Sequence, residues 1–179
     1  MKRTAYRGVS FNEAQAVVRN QRYGRTESRD FLNGVAARSL FGQGIYLVND
    51  QELAAQYAFC HAEVENDERA VILKQKIQLN NPFILNYKYN ETRLRKEALN
   101  WKYSDSYNEI NETMENSSEI SKKIGQVIME YLLHHSFDGI IYHLNDEIIY
   151  YVLYDQSHQV ENIEIEFVFN INKLKQQPS

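Results

Sequence analysis

Residues 41–57 read FGQGIYLVNDQELAAQY, and this stretch is the most informative part of the chain. Gly42 and Gly44 flank a single residue and predict a sharp turn, because glycine adopts backbone conformations that other residues avoid. The apolar residues that follow predict a short strand, and the segment after them predicts a helix. Tyr46 lies on the strand and Tyr57 lies on the helix. The sequence therefore predicts a turn–strand–helix unit that carries one aromatic ring on each element.

The remaining chain alternates predicted strands and helices. Ser10 and Glu13 form a capping box that begins a helix, and Asp50 is a typical N-cap for the helix after the glycine turn. Strands are predicted at 4–9, 44–48, 70–79, 83–87, 137–144, 148–154 and 162–171, and helices at 11–20, 51–64, 91–103 and 119–135. This order predicts an α+β fold with mostly antiparallel pairing in its C-terminal half.

Length and composition favour one domain spanning residues 1–179. Residues 104–118 are rich in Asn, Ser and Glu and predict a mobile insertion, and the last seven residues, KLKQQPS, predict a frayed tail. No apolar run has the length of a membrane span. The single cysteine, Cys60, excludes an internal disulfide and a cysteine-based zinc site. This usage fits a reducing cytosol, or an exported protein that does not use disulfides.

Charge is distributed unevenly along the chain. Residues 1–38 hold eight Lys and Arg against three acids, a balance of +5, although the whole chain carries −4. Most of these cations fall in the predicted loop at 20–39 or next to it. A basic segment in an acidic protein suits an anionic ligand or partner, although a solvated arginine-rich loop has the same composition.

GQGIY followed by AQY at this spacing resembles the donor-site segment of the ADP-ribosyltransferase superfamily, on its poly(ADP-ribose) polymerase and diphtheria-toxin side. The resemblance implies a split antiparallel β-sheet core with flanking helices. It also implies that the rings of Tyr46 and Tyr57 sandwich the nicotinamide of NAD, with Gly44 in the same donor-binding segment. Stacking of this kind contributes on the order of 0.5–1.5 kcal/mol beyond the burial of area.

Three other segments resemble the same family in the same order along the chain. TAYRGVS resembles its first strand, which implies that Gly8 presents backbone groups to the nicotinamide amide and that Arg7 contacts a ribose or a phosphate. Residues 70–85 resemble its middle strand and turn. Residues 137–167 resemble its last segment, with the pairs Tyr154-Asp155 and Gln159-Val160 at the matching places.

Two positions depart from the family pattern. Ala54 stands where the family has a serine, so a hydrogen bond to the nicotinamide amide, worth about 0.5–1.5 kcal/mol, is lost. Tyr150 stands where the family has its catalytic glutamate. Glu147 lies three residues earlier, and a β-bulge can bring its carboxylate to the site. Tyr150 and Glu147 are therefore both candidates for the catalytic position.

The resemblance implies an enzyme, a mono-ADP-ribosyltransferase that uses NAD as a substrate and modifies a protein or nucleic-acid acceptor. Such a protein acts as a bacterial or phage effector or toxin, in the cytoplasm or after export into a host cell, and a cognate inhibitor can accompany it. No metal is required and no membrane is involved. A catalytically inactive module that binds NAD or ADP-ribose, and an NAD glycohydrolase, remain alternatives.

Each candidate residue also has a purely structural interpretation. Taken singly, Tyr46 and Tyr57 are typical core aromatics, Arg7 is typical of a surface ion pair, and Glu147 is typical of a solvated turn. Tyr150 and Tyr151 alternate along a strand, so one of them is expected to face a cleft and the other the core.

Overall fold

The structure is a computed structural model that describes residues 1–25, 27–34, 36–37, 39–104 and 118–176. The described strands are β1 Lys2–Ser10, β2 Arg29–Asp30, β3 Ala36–Ala37, β4 Ile45–Val48, β5 Arg69–Gln78, β6 Pro82–Leu85, β7 Gly139–His143, β8 Ile149–Leu153 and β9 Val160–Asn170. The described helices are α1 Phe11–Asn20, α2 Gln51–Val64, α3 Glu91–Tyr103, α4 Ser118–His134, α5 Gln156–Gln159 and α6 Ile171–Lys175.

Seven of the strands form one open sheet in the order β6-β7-β8-β4-β1-β5-β9, and β2 pairs with β3 in a separate ribbon. All neighbours in the large sheet are antiparallel except β6 and β7, which are parallel. A parallel pair requires a long crossover, which the segment containing α3 and α4 supplies. The predicted α+β class is therefore confirmed at the level of a mixed helix-and-strand fold with one open, mostly antiparallel sheet.

The sheet opens between β1 and β4. β1 pairs with β5 along its whole length, from Lys2 opposite Gln78 to Ser10 opposite Ala70. In contrast, β1 and β4 form only one residue pair, Tyr6 opposite Val48. The two central strands therefore diverge beyond this pair and leave a gap in the middle of the sheet.

Local signals in the sequence explain where the helices begin. The Ser10 hydroxyl accepts a hydrogen bond from the Glu13 amide at 3.1 Å, and the Asp50 carboxylate accepts one from the Leu53 amide at 2.8 Å. Both side chains satisfy amides that have no partner within the helix. The predicted starts of α1 and α2 are thus confirmed.

Apolar clusters lie on both faces of the sheet. On one face α1 buries Ala14 and Val17 against strand residues such as Val9 and Leu73. On the other face α3 and α4 pack against β7 and β8 through a second cluster. Four apolar residues at helical spacing on α4 are buried in this cluster: Ile124, Val127, Ile128 and Leu132.

Some predicted features differ in the structure or lie outside it. The loop predicted at 20–39 contains the short ribbon of β2 and β3. The tail begins with α6, because Ile171 is buried and the Asn170 side chain caps the helix by accepting from the Asn172 amide at 2.9 Å. Residues 105–117 of the predicted insertion lie outside the described residues. In the part of the chain that is described, no helix is both long and apolar enough to cross a membrane.

Candidate functional site

A cavity of about 240 Å³ opens at the gap between β1 and β4. Six of the eight residues proposed from the sequence line it: Arg7, Gly8, Tyr46, Ala54, Tyr57 and Tyr150. They come from four separate elements, β1, β4, α2 and β8. Residues far apart in the sequence therefore meet at one place in the fold.

Gly44 and Glu147 do not line this cavity. Gly44 borders a second cavity of about 210 Å³, and a Cβ atom there would lie 2.8 Å from Val152 Cγ1 and 2.9 Å from the Leu153 carbonyl oxygen. The absence of a side chain at Gly44 thus allows the turn to lie close to β8. Glu147 is exposed in the turn between β7 and β8, where its carbonyl accepts from the Asn49 side chain at 2.8 Å.

The strand register explains why Glu147 stays outside. β8 pairs with β4 without interruption, from Ile45 opposite Leu153 to Val48 opposite Tyr150. The bulge that would have shifted Glu147 into the site is absent from this pairing. Tyr150 therefore occupies the cavity position on β8, while its neighbour Tyr151 is buried in the core cluster on the opposite face, as their alternation predicts.

The glycine turn fixes the ring of Tyr46. Its hydroxyl donates to the Gly42 carbonyl at 2.7 Å and accepts from the Phe41 amide at 3.0 Å. Gly42 has φ +86°, and a Cβ atom there would come within 2.9 Å of the Gly125 carbonyl on α4, so a glycine suits this position on two grounds. Because the hydroxyl is held by the backbone, the ring presents a preset surface to the cavity.

Replacing Tyr46 with phenylalanine tests this anchoring. The variant leaves the Phe41 amide without the tyrosine hydroxyl and leaves the Gly42 carbonyl with only the Gly44 amide, at 3.1 Å, as a donor. We therefore expect the free energy of unfolding to fall by about 1–3 kcal/mol. Chemical denaturation measures the change. Tyr87→Phe is the matched control, because Tyr87 is 86% exposed and should lose almost nothing. Equal stability of the two variants would contradict the anchoring.

Tyr57 forms the facing wall on α2. Ala54, Tyr57 and His61 recur at three- and four-residue spacing and all line the cavity. Burial raises the pKa of Tyr57, and the neighbouring Tyr150 hydroxyl raises it further. Within the described residues no ring contact joins Tyr57 to Tyr46, although both line the same cavity. The two rings therefore share a cavity without packing against each other.

Gly8 allows α2 to approach the sheet closely. A Cβ atom on Gly8 would lie 1.9 Å from the Ala54 carbonyl oxygen and 2.4 Å from the Ala58 nitrogen. Both atoms belong to the helix backbone and cannot rotate away. The absence of a side chain at Gly8 therefore sets the distance between β1 and the helix that carries Tyr57.

Arg7 lies in the gap with part of its hydrogen-bonding capacity unused. The residue is 4% exposed, and its Nη1 atom lies 3.0 Å from both the Tyr46 carbonyl and Glu27 Oε2. Its guanidinium also stacks over the Tyr23 ring at 4.9 Å. The interpretation as a surface ion pair is wrong, because the pair is buried. Nε and Nη2 are buried without a hydrogen-bond partner, which is costly for a charged group unless a ligand supplies an acceptor.

Two polar residues of the cavity, Glu27 and His61, were not proposed from the sequence. Glu27 comes from the arginine-rich loop, and ion pairs hold that loop on both sides. Arg25 pairs with Glu13 on α1 at 3.0 Å, and Arg29 pairs with Glu65 after α2 at 2.6 Å. The alternation of Arg25, Glu27 and Arg29 was the available signal, but it does not identify the distant partners.

His61 is buried and neutral. It is 1% exposed, and its two ring nitrogens lie 3.4 Å from Arg25 Nη2 and 3.3 Å from Arg29 Nη1. Burial, followed by the charges of Arg25, Arg29 and Arg7, lowers the pKa of His61 to about 2. The neutral ring therefore carries no charge of its own, and one of its two nitrogens can accept from an arginine while the other holds the ring proton.

Acidification is expected to destabilise the protein through His61. The unfolded chain binds a proton there near pH 6.5, whereas the folded protein keeps the ring neutral down to about pH 2. Between these values the unfolded state binds more protons, so the free energy of unfolding falls as the pH falls below 6.5. At about pH 5.5 this single group costs about 1.4 kcal/mol.

Urea denaturation at about pH 7.5 and about pH 5.5 measures this contribution. His61→Gln should remove the part of the stability loss on acidification that is due to His61. His134→Gln, at the exposed end of α4, should lose as much stability as the wild type. A His61→Gln protein that loses as much stability on acidification as the wild type would show that another group is responsible.

Within the described residues, no group of three or more His, Cys, Asp or Glu side chains is arranged to hold a metal ion. The polar and aromatic groups of the cavity suit an organic ligand. Its walls offer aromatic rings, and one guanidinium has two unused donors. These groups match a flat ring attached to an oxygen-rich or anionic group.

Comparisons with known proteins do not assign a family or a function to this site. No family model matches the chain, and no curated protein matches it. Among solved structures, the chain is similar to a crystal structure of an anti-CRISPR protein, with 12% identity and a TM-score of 0.37. The match covers 92% of this chain and 96% of that one. Neither the identity nor the TM-score is high enough to assign a shared fold or function.

Proposed function

We propose that this protein is a mono-ADP-ribosyltransferase that cleaves NAD and transfers ADP-ribose to a macromolecule. The observation that supports the proposal most is the convergence of six residues, from three separate sequence segments and four structural elements, on one cavity. The family resemblance depends on the linear sequence alone. A chance resemblance gives no reason for Arg7, Tyr46, Tyr57 and Tyr150 to meet in space.

The cavity suits the nicotinamide end of NAD. Tyr46 and Tyr57 offer ring faces, and the edge of β1 at Gly8 offers backbone groups to the carboxamide. Arg7 Nε and Nη2 are suited to oxygens of the ribose or the adjoining phosphate. The volume of about 240 Å³ lies below the range of about 300–1,000 Å³ typical of pockets for complete drug-sized ligands. We therefore expect the cavity to hold one end of the dinucleotide.

Cleavage of NAD requires that the protein orient the substrate and stabilise the positive charge that develops on the ribose. Breaking the bond between ribose and the cationic nicotinamide creates an oxocarbenium-like sugar, as in glycoside hydrolysis. Fixed rings hold the leaving group, so less entropy is lost at the reacting geometry. Tyr150 can donate a hydrogen bond to a ribose hydroxyl, but a neutral phenol cannot supply the negative charge of a carboxylate.

The direct test incubates the purified protein, alone and with cell lysate, with NAD labelled in its adenylate part. Covalent label on the protein itself or on a lysate component is the expected result. A fully folded protein that transfers no label, releases no nicotinamide and does not bind NAD would overturn the proposal.

A second candidate function is a non-catalytic module that binds NAD or an ADP-ribosyl group. The observation in its favour is that the cavity position on β8 holds Tyr150, while Glu147 is exposed outside the cavity. Calorimetry that detects NAD binding, together with no release of nicotinamide, would favour this module. Free ADP-ribose without labelled macromolecule would instead indicate an NAD glycohydrolase.

A further inference from the structure

One acidic residue does line the cavity. Among the described residues, Glu27 is the only carboxylate in its wall, and its side chain is 14% exposed. Its Oε2 atom lies 3.0 Å from Arg7 Nη1. The cavity therefore contains a fixed negative charge, supplied by the loop instead of by β8.

The charge of Glu27 acts on both tyrosines that form the aromatic walls, Tyr46 and Tyr57. Burial is the main cause of the raised pKa of Tyr46, and Glu27 raises it further against the lowering effect of the Phe41 amide. Burial and Tyr150 raise the pKa of Tyr57, and Glu27 adds to them. A carboxylate that interacts with both phenols lies near the space where a nicotinamide and its ribose would sit.

The loop holds Glu27 in place by contacts on both sides of it. Besides the ion pairs of Arg25 and Arg29, the Ser28 hydroxyl accepts from the Ser39 amide at 3.2 Å and lies 2.8 Å from the Ser39 hydroxyl. These contacts close the loop on itself next to Glu27. A group held this way can act on a transition state with little reorganisation.

We infer that Glu27 is the catalytic carboxylate of this protein and stabilises the ribosyl cation formed when NAD is cleaved. The inference rests on the proposed function. Glu27 takes the place of the catalytic glutamate that β8 lacks. The bond between ribose C1′ and nicotinamide N1 breaks, and its electron pair goes to N1, which becomes neutral. The positive charge spreads over C1′ and the ring oxygen until an acceptor supplies an electron pair to C1′ and its proton leaves to water.

Arg7 connects substrate binding with the charge of the Glu27 carboxylate. In the free protein it pairs with Glu27 through Nη1, while Nε and Nη2 have no partner. When a phosphate or ribose oxygen of NAD binds these two donors, Arg7 shares its charge between two acceptors. Its interaction with Glu27 then weakens, and more of the negative charge of the carboxylate acts on the sugar while the loop stays in place.

Glu27→Gln tests the inference, because it keeps the size of the side chain and removes the charge. We expect turnover of NAD to fall by about 100-fold or more, in the range seen when one transition-state contact is removed. Glu68→Gln is the matched control, because it removes an exposed carboxylate between α2 and β5 that does not line the cavity. It should retain turnover within about threefold of the wild type.

A binding measurement tests the position of the charge without relying on turnover. The wild type should bind the cation 1-methylnicotinamide more tightly than Glu27→Gln does, by about tenfold, whereas neutral nicotinamide should bind both equally. If Glu27→Gln does not fold, Glu27→Asp replaces it, which keeps the charge but moves it, and turnover should fall about tenfold.

The outcomes separate this inference from the proposed function. A wild type that cleaves NAD, with Glu27→Gln or Glu27→Asp cleaving it at the same rate, overturns the role of Glu27 and leaves the transferase intact. Equal binding of 1-methylnicotinamide to wild type and Glu27→Gln also overturns that role. A wild type that neither binds nor cleaves NAD overturns the proposed function and the inference with it.

Discussion

Tyr57→Ala is expected to weaken NAD binding by on the order of 100-fold and to abolish label transfer. The variant removes the wall on α2 and leaves the Tyr46 ring as a single stacking surface. Burial of an aromatic side chain is worth about 1.5–3 kcal/mol, and ring stacking adds about 0.5–1.5 kcal/mol. Calorimetric titration with NAD measures the loss, and labelling with the same protein measures its consequence for transfer.

Tyr57→Phe is the matched control for this substitution. It keeps the ring and removes only the hydroxyl, which interacts with Tyr150 at the edge of the cavity. We expect NAD binding within about fivefold of the wild type, because the stacking surface is unchanged. If Tyr57→Ala labels targets at the wild-type rate while remaining folded, Tyr57 is not part of the donor site.

Gly8→Ala is expected to cause the largest loss of stability among these variants, about 3 kcal/mol or more. The new methyl group would lie 1.9 Å from the Ala54 carbonyl oxygen, so α2 must move away from β1. That movement displaces Tyr57 and creates a defect between helix and sheet. Denaturation midpoints give the loss of stability, and NAD titration shows whether the displaced helix also loses the ligand.

Gly24→Ala serves as the comparison, because nothing lies within 4 Å of the place its Cβ atom would take. This exposed position should tolerate the change within about 0.5 kcal/mol. The close packing of α2 on β1 would be contradicted if the two alanine variants unfolded at the same denaturant concentration.

Much of the fold could be predicted from local signals. The Ser10 and Asp50 caps and the apolar spacing of α4 depend on residues within a few positions of each other, and the structure contains all three. The parallel pairing of β6 with β7 could not be predicted in this way, because it depends on where a long crossover returns. The helix α6 was missed because it depends on the burial of Ile171 against other elements.

The candidate site shows the same difference between residues in local motifs and residues placed by distant contacts. Tyr46, Gly8 and Tyr57 were found because each lies in a short motif whose spacing carries the information. Glu27 was missed because its position depends on a contact with Arg7 twenty residues away. Glu147 was proposed because it is near Tyr150 in sequence, but the hairpin turn between β7 and β8 places it at the surface.

A crystal structure of the protein soaked with NAD or nicotinamide shows whether a nicotinamide ring fits between Tyr46 and Tyr57. We expect density for a flat ring between the two tyrosines, with its carboxamide at the Gly8 backbone and the ribose side toward Arg7 and Glu27. Density for the ring elsewhere on the protein, with the space between Tyr46 and Tyr57 left without it, would show that these tyrosines do not form the donor site.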